Sequence, residues 1–79
     1  MNSELVYIPG WGDAVVNAVR WLRDHKNIPE YQTVDEEFAA YFGCKVVAEM
    51  MDPPYDNYPA RVYAVFTKQD AVAFLLRWA

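Results

Sequence analysis

The chain has 79 residues, 54% of them hydrophobic and 16% aromatic, with a formal net charge of −4. That is a single domain with enough apolar mass to form a core, which argues against a disordered chain. One cysteine, Cys44, excludes an internal disulfide and a cysteine-based zinc cluster, and the acidic balance argues against general attachment to nucleic-acid backbones, whose affinity comes from Lys and Arg neutralising phosphates.

No basic region followed by a long apolar run opens the sequence, so no signal peptide is expected. The longest apolar run, Ala71 to Leu76, is much shorter than the about 20 residues a bilayer demands. With its lone thiol, the chain reads as soluble and cytoplasmic, with no membrane association. Its charge is unevenly placed. Between Glu30 and Tyr58 seven acids face one base, Lys45, leaving −6, whereas the segments on either side are neutral or positive.

Leu5 to Ile8 is β-prone and is stopped by Pro9-Gly10, which predicts a short N-terminal strand. Asp13 stands where an N-cap belongs, ahead of a helix from Ala14 to Lys26 with Val15, Ala18, Val19 and Leu22 at helical spacing. Asn17, Arg20 and Asp24 fall on its wet face, and Arg23, His25 and Lys26 complement the dipole in its last turn. Trp11 is expected to pack over this helix, with Gly10 and Gly12 allowing the turn.

Thr33 and Glu36 have the spacing of a capping box, in which each side chain satisfies the other's free backbone N–H. A short second helix should follow, with Val34, Phe38 and Tyr41 or Phe42 as its apolar stripe and Gly43 as its left-handed terminator. Cys44 to Met51 alternates imperfectly and predicts a strand with a half-apolar outer face carrying Val47 and Met51. The connector Asp52 to Pro59 has three prolines in eight residues and reads as a projecting loop. Arg61 to Phe66 is a second strand, paired with the first as a hairpin. Thr67 with Asp70 then caps a last helix whose stripe is Ala71, Phe74, Leu75 and Trp78, with Val72, Ala73 and Leu76 surplus to it.

The expected fold is therefore α+β over residues 1–79, a single domain of two layers: a small antiparallel sheet, made of the hairpin and an N-terminal strand, packed against about three helices. A mostly helical bundle with a lone hairpin is the alternative.

Catalytic constellations are missing from the sequence. His25 is explained as a helix-terminal cation and Cys44 as a small buried hydrophobe. Asp35, Glu36 and Glu37 are consecutive and fan around a helix start without converging on a metal. Asp52, Asp56 and Asn57 lack the ligand order and central glycine of a calcium loop. Pro9-Gly10-Trp11-Gly12 lacks the phosphate-loop pattern, and Asp13 would repel an anion there. Pro53-Pro54-Tyr55 misses the Pro-Pro-x-Tyr spacing of a WW ligand. The reading is a non-enzymatic protein with no cofactor and no metal.

Binding features remain. Tyr55 and Tyr58 sit on a proline-stiffened loop, a way to offer contact area at low entropic cost. Together with Asp35, Glu36, Glu37, Asp52 and Asp56 they form the candidate partner-binding set. Those acids could stand in for phosphates and engage a protein with a basic, nucleic-acid-binding groove. Surplus apolar positions on the last helix and the outer strand face point to a homodimer.

The ending Val65-Phe66-Thr67-Lys68-Gln69-Asp70-Ala71-Val72-Ala73-Phe74-Leu75-Leu76-Arg77-Trp78 resembles the strand, Asp-Ala and Phe-x-Leu-Arg-Trp ending of small uncharacterised proteins of tailed bacteriophages. The resemblance covers only the final part of the chain and transfers no catalytic residue. It implies a phage accessory protein, a class that includes inhibitors of host enzymes and anti-defence proteins such as anti-CRISPRs. The expectation is an acidic inhibitor or modulator that occludes a surface on a host protein in the bacterial cytoplasm, without contacting nucleic acid directly. A homo-oligomeric structural or regulatory module is the alternative.

Overall fold

Six elements form in the predicted order: β1 (Leu5–Pro9), α1 (Asp13–Lys26), α2 (Asp35–Phe42), β2 (Lys45–Met50), β3 (Pro59–Thr67) and α3 (Lys68–Trp78). The computed structural model describes residues 4–55 and 59–79. Asp56 and Tyr58 of the candidate set lie outside the described residues. The fold is α+β, with three helices and a three-stranded antiparallel sheet among the described residues.

The strand order is β1-β3-β2, so the last strand made enters between the other two and pairs antiparallel with both. Val62-Tyr63-Ala64-Val65-Phe66 is largely β-branched and aromatic, the composition of a paired strand, while Pro59 occupies the first position of β3, where a missing N–H is tolerated. β3 begins two residues earlier than the run Arg61 to Phe66 suggests, because an irregularity between Glu49 and Met50 brings Met50 opposite Pro59.

All three helices cover one face. Ile8, Ala64 and Phe66 from the sheet meet Ala14, Val15, Ala18 and Leu22 of α1, Phe38 of α2, and Ala71 and Phe74 of α3 in one core. Phe74 is the joint of this core: its ring lies 4.7 Å from Phe66, 5.4 Å from Phe42 and 6.0 Å from Phe38. A second aromatic group closes the ends of the helices, with Trp21 stacked on His25 at 4.5 Å and tilted against Trp78 at 5.5 Å. The Arg77 guanidinium covers Trp78 at 4.9 Å and Trp21 at 5.7 Å, a cation–π arrangement worth about 0.5–1 kcal/mol where exposed.

The caps separate expectation from outcome. Thr67 caps α3 through its hydroxyl, which accepts from the Asp70 N–H at 3.4 Å, and Gly43 ends α2 at φ 66°. The capping box at Thr33 does not form. Val34 is drawn into the core and becomes the N-cap of α2, with no side-chain cap bond, which leaves Thr33 exposed outside the helix. α1 likewise starts one residue earlier than expected: Gly12 is its N-cap and Asp13 is its first residue, acting through the dipole alone. At the other end Asn27 supplies a left-handed terminator at φ 55°, and Arg23 reaches the Pro29 carbonyl at 2.7 Å to hold the following turn.

Trp11 departs furthest from its expected place. The Gly10 N–H donates to the Val62 carbonyl at 2.7 Å, extending the β1–β3 pairing beyond Pro9, and this carries Trp11 past the end of the sheet and against Tyr63 at 5.4 Å. It remains 58% exposed. A Cβ on Gly10 would lie 2.8 Å from that same carbonyl oxygen, so Gly10→Ala must push the strands apart. The expected cost is about 1–3 kcal/mol, read as a lower urea midpoint.

Candidate functional site

Where α1 and α2 diverge above the sheet, an apolar cleft of about 380 Å³ opens onto β3. Val15 and Val19 of α1 form one wall, Val34 and Phe38 the other, and Val46 and Val62 the floor. A cleft of this size and lining falls in the range that holds a small ligand or one large anchoring side chain. Asp35 and Arg61 are its charged lining residues.

Asp35 is there for a local reason. Once Val34 turns inward as N-cap, the next three residues, Asp35, Glu36 and Glu37, occupy the first turn of α2 and project into solvent, where the exposed N–H groups of the helix start favour negative charge. All three are exposed, and among the described residues no ion pair engages them; the one ion pair there joins Lys68 to Glu4 at 3.6 Å, between two exposed side chains. Asp52 and Tyr55 are also exposed. They follow the end of β2, in a turn where the Tyr55 N–H donates to the Asp52 carbonyl at 2.9 Å. Since Met50 pairs with Pro59, and Ala60 and Arg61 line the cleft, this loop leaves the sheet at the cleft end of the molecule.

The structure thus brings Asp35 to the cleft wall, keeps Glu36 and Glu37 beside it in the first turn of α2, and sets Asp52 and Tyr55 at the same end. Of the described members of the candidate set only Asp35 lines the cleft itself. The cleft walls were not singled out from the sequence. Val15, Val19, Val34 and Phe38 carry helical-face periodicity, which signals burial, and nothing local distinguishes a wall from a core position.

The remaining reactive groups have structural surroundings. His25 lies flat on Trp21, edge-on to Tyr41 at 6.2 Å. Cys44 is partly buried against the core, and that burial pushes its thiol up from 9.0 to about 11. A thiol held protonated at neutral pH is a poor nucleophile. Because the folded state holds this proton more tightly than the unfolded state, stability is untouched below pH 9 and falls as pH rises from 9 toward 11. Thermal melts across that range should show the decline, and Cys44→Ala should flatten it. Among the described residues no group of three or more His, Cys, Asp or Glu side chains could hold a metal ion, and no helix is long and apolar enough to cross a membrane.

Comparisons with protein-family models, with curated proteins and with solved structures return no match to this chain.

Proposed function

We propose that this chain is a small, acidic, non-enzymatic binding protein that occludes a basic, nucleic-acid-binding surface of a host protein. The observation that carries the reading is the placement of Asp35, first of three exposed acids, on the wall of an apolar cleft of about 380 Å³. The acids supply long-range attraction to a basic surface, and the cleft supplies a desolvated pocket for one apolar anchor of the partner; the two together give both fast approach and slow departure. Asp52 and Tyr55 extend the acidic end. The resemblance of the Val65 to Trp78 ending to small phage proteins adds a context for the reading, a phage-encoded inhibitor acting on a host enzyme in the manner of an anti-CRISPR.

Affinity capture from the host, followed by competition, tests it. The captured partner should bind nucleic acid by itself and lose that binding in the presence of this protein. A partner without a basic surface, or one that holds nucleic acid and this protein at once, would overturn the reading.

A second reading, a homo-oligomeric module, is favoured by the apolar surface left bare away from the cleft. Leu76 on α3 is 83% exposed, with Val72 beside it, and the far face of the sheet is aromatic.

A further inference from the structure

The helices cover one face of the sheet, and the register shows what stands on the other. Ile8, Ala64 and Phe66 point into the core, so their neighbours point away from it: Leu5 and Tyr7 of β1, Tyr63 and Val65 of β3, Val47 of β2. An antiparallel sheet with one solvated face normally alternates apolar inward and polar outward. This one does not. Leu5 is 57% exposed, Tyr7 58% and Val47 36%, and Tyr7 and Trp11 both lean edge-on against Tyr63, at 6.1 and 5.4 Å.

We propose that this outer sheet face is the interface between two copies of the chain. The charges on it are arranged for a self-complementary contact. Lys45 lies in the row of Tyr7 and Val65, Val47 in the row of Tyr63, and Glu49 with Arg61 in the next. A two-fold axis along the Tyr63–Val47 row reverses the strand direction and sets Lys45 of one copy opposite Glu49 of the second, while Val47 and Tyr63 meet their own counterparts. Arg61 adds a second cation beside each Glu49. Two sheets stacked this way, about 10 Å apart, bury roughly 1,000 Å² in total, the lower bound of a specific interface. The dimer is therefore reversible and its population depends on concentration.

This inference gives the homo-oligomeric reading its interface and is independent of the acidic end. Trp11 and Tyr63 also line the cleft, so the test leaves them untouched. Sedimentation velocity over a micromolar concentration series should show a monomer–dimer equilibrium for the unaltered chain. Tyr7→Arg should weaken it at least tenfold with the far-UV spectrum unchanged, because Tyr7 is exposed in a single copy. Leu76→Arg, on the opposite layer, should leave it intact. Lys45→Glu and Glu49→Lys should each weaken it, and the double reversal should recover part of the loss, dimerising more tightly than either single variant, with Arg61 beside position 49 opposing full recovery. If Tyr7→Arg does not fold, Val47→Thr, isosteric and β-branched, reads the same face with a loss of about threefold. A strict monomer throughout the series overturns both the inference and the homo-oligomeric reading. A dimer lost with Leu76→Arg and kept with Tyr7→Arg or Val47→Thr preserves that reading and overturns this interface. Failure of the double reversal to recover overturns the two-fold arrangement.

Discussion

Phe74→Ala should remove about 3–5 kcal/mol of stability, the range for deleting a buried phenylalanine ring. The position earns that figure through its neighbours. Phe74 is 5% exposed, and its ring touches Phe66 of β3 together with Phe38 and Phe42 of α2, so one side chain of α3 joins the sheet to the helical layer. Removing it leaves a cavity bordered by three large rings on two elements, two from α2 and one from β3, and rigid rings held on separate backbones collapse poorly into such a space. A domain of this size has roughly 4–12 kcal/mol in total. The variant should therefore be partly unfolded at moderate temperature, with a much lower urea midpoint and loss of the near-ultraviolet aromatic signal. Leu76→Ala on the same helix should stay within about 0.5 kcal/mol, since that side chain is 83% exposed. A loss below about 1 kcal/mol at Phe74 would mean that the aromatic joint does not hold the layers together.

The core was legible in the sequence because it is periodic. Val15, Ala18 and Leu22, then Ala71 and Phe74, recur at helical spacing, and all are buried. The hairpin of β2 and β3 was legible too, whereas the pairing of β1 on the other edge of β3, which makes β3 central, was not. Details that depend on competition between local and tertiary forces were not legible. Thr33 and Glu36 have the chemistry of a capping box, yet burying Val34 outweighs a cap bond worth about 1 kcal/mol and moves the helix start past Thr33. Trp11 follows the Gly10–Val62 hydrogen bond, a contact across 52 residues that no local pattern announces. The cleft is of the same kind, since its walls come from α1 and α2 and its floor from β2 and β3. The acids were visible as a charge run. That Asp35 would share a cleft with Arg61 was not.

Neutralising Asp35, Glu36 and Glu37 together, as Asp35→Asn, Glu36→Gln and Glu37→Gln, should have two effects that separate by measurement. The first is on the fold. Each acid in the first turn of α2 complements the helix dipole by about 0.3–1 kcal/mol, so the triple variant should lose about 1–3 kcal/mol and still fold, the side chains being exposed and outside the core. The second is on association with the captured partner. If the acids draw a basic surface in from a distance, their loss should slow the association rate by tenfold or more at low salt and leave dissociation nearly unchanged. Screening shortens the reach of charge to about 8 Å at physiological ionic strength, so the difference from the unaltered chain should shrink steadily as salt is added. Val19→Ser, which makes one cleft wall polar, should behave in the opposite way: faster dissociation at every salt concentration, with the association rate kept. The two halves of the proposal are thereby assigned to different rate constants. Equal association rates for the triple variant and the unaltered chain at low salt would remove the acids from the interface, and an unchanged dissociation rate for Val19→Ser would remove the cleft.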